Sequence, residues 1–196
     1  MAKRSALFPT LSRTTPALFL ITIVLNCMVN PSYESFYLLI VYILECISNH
    51  TFKKITEFIY NLVNTKSLPI LGIGSRPPNA NSCGFILDNS IATSFGMPSG
   101  HSQSAWFIAT YLICKIIKKF NNNKTTEKKS PIDYIWIVVS CSIILFSAIY
   151  ISYSRVYIEG CHTIQQVIVG GLIGIGLGYL IYYFENDAIH LLSKIL

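Results

Sequence analysis

The stretch HTIQQVIVGGLIGIGLGYLIYYF, His162 to Phe184, has no Asp, Glu, Lys or Arg in 23 residues. A helix of that length rises about 35 Å, enough to cross the roughly 30 Å hydrocarbon core of a bilayer. Gly170, Gly174 and Gly178 recur at four-residue spacing, which lays one stripe of small residues along a helix face and suits close packing against a neighbour. The rest of the chain has the same character. Its 196 residues are 52% hydrophobic and 12% charged, with a mean hydropathy of +0.51, too apolar for an ordinary soluble domain. The expected fold class is all-α: a polytopic membrane helix bundle of about six transmembrane helices, with residues 1–196 forming a single membrane domain. The composition gives no sign of a nucleic-acid partner.

Working back towards the N-terminus, further apolar runs cover Ile132 to Ser152, Ala105 to Ile117, a more mixed Phe52 to Val63, Tyr33 to Ile47 and Pro16 to Val29. Pro69, Gly72, Gly74, Pro77 and Pro78 punctuate the region after the third run, so Ser67 to Met97 reads as a loop or broken segment. The start lacks a small-residue cleavage site, and the first run is expected to stay as an anchor. If all six runs cross, loops alternate sides, and twelve of the fifteen basic residues fall on one side, including Lys3, Arg4, Arg13, Lys53, Lys54 and the six lysines from Lys115 to Lys129. The positive-inside rule makes that side cytosolic, with both termini there. Asn49-His-Thr and Asn123-Lys-Thr match the glycosylation pattern but fall on this side and are expected to stay unmodified. Four of the six cysteines lie in or beside apolar runs and read as buried thiols, while Cys83 and Cys161 fall on the opposite face, where a disulfide is chemically permitted.

That opposite face also receives GMPSGHSQ, Gly96 to Gln103, directly before the run Ala105 to Ile117. A helix starting near Pro98 leaves its first N–H groups unpaired beside Ser99, Gly100 and His101, and these donors with the helix dipole suit a phosphate. SRVYIEGCHTIQQV, Ser154 to Val167, adds Arg155 at the end of one helix and His162 at the start of the next. Two histidines and two arginines, Arg76 and Arg155, on one face point to phosphoryl transfer. The arginines would grip phosphate oxygens while one imidazole attacks and the other donates a proton. Each piece alone also reads as an ordinary helix end.

RPP at Arg76 to Pro78, PSGH at Pro98 to His101, and SR with a following His at Ser154, Arg155 and His162 resemble the three signature blocks of the type 2 phosphatidic acid phosphatase superfamily. MPSGHSQSAWF and SRVY…HTIQQV look most like its dolichyl diphosphatase branch, and the resemblance covers about Lys66 to Gly178. It implies that His162 is the nucleophile of a phosphohistidine intermediate and His101 the acid for the departing lipid oxygen. Arg76, Arg155 and the Ser99–Gly100 segment would cradle the phosphate, with no metal or other cofactor. The implied activity removes the terminal phosphate of a polyprenyl diphosphate at the lumenal face of an endoplasmic-reticulum-like membrane. A broader phosphatase acting on phosphatidate-type monoesters, or a catalytically silent lipid-binding protein, is the alternative.

Three departures from the family pattern stand out. The family lysine seven residues before the arginine is Pro69 here, leaving Lys66 as the nearby candidate. Six residues, Val156 to Cys161, separate Arg155 from His162 where five are usual. Gln166 stands where many members have an aspartate to orient the histidine ring; it can hydrogen-bond an imidazole N–H without stabilising its charge. The sequence carries no signal for oligomeric state.

Overall fold

A computed structural model describes residues 7–80, 83, 92, 94–122 and 130–195. In chain order these form α1 (Leu7–Val29), α2 (Tyr33–Leu62), a short antiparallel hairpin of β1 (Ser67–Leu68) and β2 (Gly72–Ile73), α3 (Gly100–Asn122), α4 (Pro131–Tyr153) with a π-helical extension Ser154–Ile158, and α5 (Ile164–Ile195). The all-α membrane bundle expected from composition is what the chain forms. Helices α1, α2, α4 and α5 are each long and apolar enough to span a membrane. The basic residues Lys3, Arg4, Lys124, Lys128 and Lys129 and the Asn123 acceptor lie outside the described residues.

The number of helices differs from the six apolar runs. The second and third runs are one helix, α2, because the joining residues Ser48 to Thr51 contain neither proline nor glycine and nothing there stops helix propagation. Ser32 caps its start, its side chain accepting a hydrogen bond from the Ser35 N–H. Thirty residues span about 45 Å, well beyond the bilayer core. The last turns of α2 carry the connecting segment: Thr56 Oγ1 donates to Met97 O at 2.7 Å, Tyr60 OH donates to Gly72 O at 2.9 Å, and the Tyr60 and Phe95 rings meet edge to face.

With five helices among the described residues, α1 also starts at the end opposite to the one expected. Ser12 and Arg13 of α1 touch Glu159 beyond α4, at the same end of the bundle as Lys53, Arg76 and Arg155. Lys115 sits at the other end, bonded to Glu34 and Glu185, and Lys118 there meets Asn186. The start of α1 and the last turns of α3 therefore lie at opposite ends, and among the described basic residues the one-sided clustering expected from six spans does not hold.

Helix α3 is the interior element. It is less apolar than its neighbours because its polar residues are spent inside the bundle, where an unpaired group would have no water to turn to. Ser102 Oγ donates to Val167 O, Ser104 Oγ donates to Glu45 Oε2, Asn49 Nδ2 donates to Gln103 Oε1, and Trp106 Nε1 donates to Ser152 Oγ. The glycine stripe of α5 lies directly on its backbone. A Cβ on Gly170 would stand 2.4 Å from Ser99 O, on Gly174 2.2 Å from Gln103 O, and on Gly178 2.6 Å from Phe107 O. No side chain fits at those distances, so the stripe sets the separation of α3 and α5 and with it the position of His101 relative to His162.

Candidate active site

At the end of the bundle where α1 begins and α2 ends, a cavity of about 270 Å³ is lined by Asn49, Lys53, Arg76, Gly100, His101 and His162, with Pro16, Cys46, Cys83 and Ser104 completing its wall. Two of these side chains are cationic and none is a carboxylate, which fits an anion. The two histidines come from the start of α3 and the turn before α5, and the Gly170 contact with Ser99 holds those segments together.

His162 is fixed by Gln166, one turn further on. Gln166 is fully buried, and its amide nitrogen donates to Ser75 O at 2.7 Å and Ile73 O at 2.9 Å. Carbonyls only accept, so the amide oxygen is the atom facing the ring, where it takes the Thr163 N–H at 3.2 Å and lies 3.0 Å from His162 Nδ1. Nδ1 must then carry the hydrogen, leaving Nε2 as the atom with the free lone pair. Arg76 Nη1 lies 3.3 Å from that Nε2 and also donates to Cys161 O at 3.1 Å, while its Nε and Nη2 donate to Ser94. Gln166 thus ties the histidine to the β2 segment that leads into Arg76.

The His162 ring is held well below its ordinary pKa, first by burial and then by the cations Arg76 and Lys53, with the Gln166 bond opposing. The neutral, nucleophilic ring therefore persists under mildly acid conditions. Diethyl pyrocarbonate acylates only neutral imidazole, and at pH 5.5 an ordinary histidine is about nine-tenths protonated. Modification of His162, followed by mass spectrometry, should stay near its neutral-pH rate at pH 5.5. Arg76→Gln should lift the midpoint towards the ordinary value, because removing a cation makes protonation easier.

His101 Nε2 lies 2.9 Å from Arg13 O, an acceptor, so this nitrogen carries a hydrogen and the N-terminal helix braces the second ring. Gly100 lets α2 approach: a Cβ there would stand 2.8 Å from Asn49 Oδ1. Ser99 does not line the cavity. It is buried, and its N–H, expected to face a phosphate, donates instead to Gln166 O at 3.0 Å.

Arg155 also sits away from the cavity lining. It is fully buried, its Nη2 donating to Glu159 and to Ser12 Oγ and its Nη1 to Cys83 O at 3.3 Å. The reason lies in the longer turn. The extra residue is absorbed by the π-helical turn Ser154–Ile158 and by Gly160 at a φ of +64°, and Glu159, four residues after Arg155, becomes its partner. Arg13 binds the other oxygen of Glu159 at 2.8 Å. Arg155 thus supports the cavity wall through Cys83.

Lys66 is exposed just before the hairpin and is absent from the cavity lining. Lys53 takes the place expected of it. Cys46, Asn49 and Lys53 all line the cavity and lie at helical spacing on one face of α2. Dividing this stretch into the runs Tyr33 to Ile47 and Phe52 to Val63 puts Cys46 and Lys53 on different elements, whereas one unbroken helix Tyr33–Leu62 puts them on one face.

A model of the PAP2 superfamily matches residues 35–190. The chain belongs to that superfamily. The PAP2 match extends beyond the stretch carrying the sequence blocks and takes in α2 with Asn49 and Lys53. The chain is similar to dolichyldiphosphatase of Saccharomyces cerevisiae, 34% identical over 110 residues that make up 56% of this chain and 41% of the relative. It is also similar to dolichyldiphosphatase 1 of Dictyostelium discoideum (37% over 89 residues; 45% and 35%) and of Homo sapiens (36% over 84 residues; 43% and 34%). These matches span between about a third and two fifths of the relatives' lengths. No solved structure matches the chain.

Proposed function

We propose that this PAP2 protein is a membrane phosphatase that removes the terminal phosphate of a polyprenyl diphosphate through a phosphohistidine on His162. The observation that carries the reading is the His162 Nε2 lone pair, held by a buried glutamine and facing Arg76 in a cavity that Lys53 also lines. Nε2 attacks the terminal phosphorus and the bond to the bridging oxygen breaks, while Arg76 and Lys53 hold the charge gathering on the phosphoryl oxygens. His101 gives a proton to the departing lipid monophosphate, then takes one from the water that hydrolyses the P–N bond. Gln166 keeps Nδ1 protonated as the positive charge on the ring rises. Arg155 acts on the wall of the site and not on the phosphate.

The dolichyldiphosphatase similarity supports the diphosphate as substrate, and an isoprenoid tail would remain in the bilayer beside the apolar helices. The cavity opens at the end opposite Lys115 and Lys118. In this reading the cavity end faces the lumen and the end that carries Lys115, Lys118 and Lys119 faces the cytosol. Purified protein in EDTA should release inorganic phosphate from a polyprenyl diphosphate faster than from phosphatidate. The reverse preference would make it a broad lipid phosphate phosphatase, and no release from either would reduce it to a lipid-binding protein.

A further inference from the structure

Cys83 and Cys161 come together at the wall of the cavity from segments far apart in sequence. Both are buried. The two sulfurs and a carboxylate oxygen of Glu159 all lie within 4.8 Å of one another. The backbone of the same two residues holds the arginines: Cys83 O accepts from Arg155 Nη1 at 3.3 Å, and Cys161 O accepts from Arg76 Nη1 at 3.1 Å. Cys161 also directly precedes His162.

The trio does not make a convincing cation site. One oxygen of Glu159 receives Ser12, Ser154 and Arg155 and the other receives Arg13. A metal ion would have to displace two guanidinium contacts to reach that carboxylate, and Arg155 would then be a buried charge without its partner. The Cys161 thiol reaches Arg155 O at 3.7 Å, a weak contact for a sulfur donor.

We propose that Cys83 and Cys161 are an oxidisable pair that closes to a disulfide and fastens the connecting segment to the turn before His162. Cys83 lines the cavity, so a small peroxide entering there meets it first. The O–O bond breaks, Cys83 becomes a sulfenic acid and one water leaves. Cys161 sulfur attacks Cys83 sulfur, the S–S bond forms and a second water leaves, so two thiols and one peroxide give one disulfide and two waters. Because the sulfurs are already neighbours, the two carbonyls keep their arginines, and the cross-link joins positions 83 and 161 across most of the site.

Reduced full-length protein in detergent, treated with hydrogen peroxide, should fall from six titratable thiols to four and yield one linked peptide pair joining Cys83 to Cys161. Tm should rise by about 5 °C or more, as expected for closing so long a loop. Dithiothreitol should reverse both changes, and Cys83→Ser should abolish them. If that variant does not fold, the peptide map of the unaltered chain still decides. Six thiols remaining, a link to any other cysteine, or Cys83 recovered as sulfinic acid would overturn the proposal. So would Zn²⁺ at one equivalent shielding both thiols from maleimide while peroxide produces no link, which would make the pair a metal site. None of these readouts uses turnover, so they stand or fall separately from the phosphatase reading.

Discussion

His162→Ala should lose turnover on every phosphate substrate, by about a millionfold in kcat, whereas His101→Ala should lose it selectively. Without the Nε2 lone pair no covalent intermediate forms, and loss of a nucleophile leaves only what positioning supplies. His101 acts on the leaving oxygen, so its worth depends on how badly that oxygen needs a proton. A lipid monophosphate leaves poorly, and His101→Ala should cost about 10²- to 10⁴-fold. An aryl phosphate such as p-nitrophenyl phosphate leaves as a stable phenolate and should bring His101→Ala to within about tenfold of the parent, with His162→Ala still dead. Trapping with radiolabelled substrate adds an independent check: acid-labile label should accumulate on His101→Ala and be absent from His162→Ala. Equal losses on both substrates would mean that the roles of the two rings are exchanged or shared.

The class of fold and the meeting of His101 and His162 at one cavity were legible in the sequence for simple physical reasons. A 23-residue run without a charge has few places to go but a bilayer, and glycines at four-residue spacing mark where another backbone will come close. PSGH and the histidine after SR bracket the contact that this stripe creates, since Gly170 rests on Ser99. What could not be read was which groups complete the cavity. Ser48 to Thr51 separate two apolar runs because they are polar, yet polar residues in a helix interrupt its hydrophobicity without interrupting its hydrogen bonds. With α2 continuous, Lys53 lines the cavity, Asn49 bonds Gln103, and the start of α1 comes to the end where Arg13 supports His101. Arg155 is drawn from the cavity for a different reason: Glu159, four residues on, lies within reach of its guanidinium in the turn after α4.

The largest consequence of that correction falls on two lysines. Lys66 lies nearer Arg76 in sequence but is exposed and away from the cavity, whereas Lys53, a further 13 residues back, lines it together with Arg76 and both histidines. An ammonium there is a point charge for a phosphoryl oxygen, and it is delivered by a rigid helix whose register is set by Asn49 bonding to Gln103 of α3. Lys53→Met keeps the hydrocarbon stem and removes the charge, so its effect reads electrostatics more than packing. It should lower kcat/KM on the order of a hundredfold or more, about 2.7 kcal/mol of transition-state stabilisation, as does losing one preorganised donor. Competitive inhibition by inorganic phosphate should weaken in parallel, because the charge also holds the ground-state anion. Lys66→Met, with its side chain in solvent, should stay within about threefold of the parent in both measurements. A silent Lys53→Met beside a crippled Lys66→Met would restore the lysine nearest in sequence and require the hairpin to fold over the cavity when substrate binds.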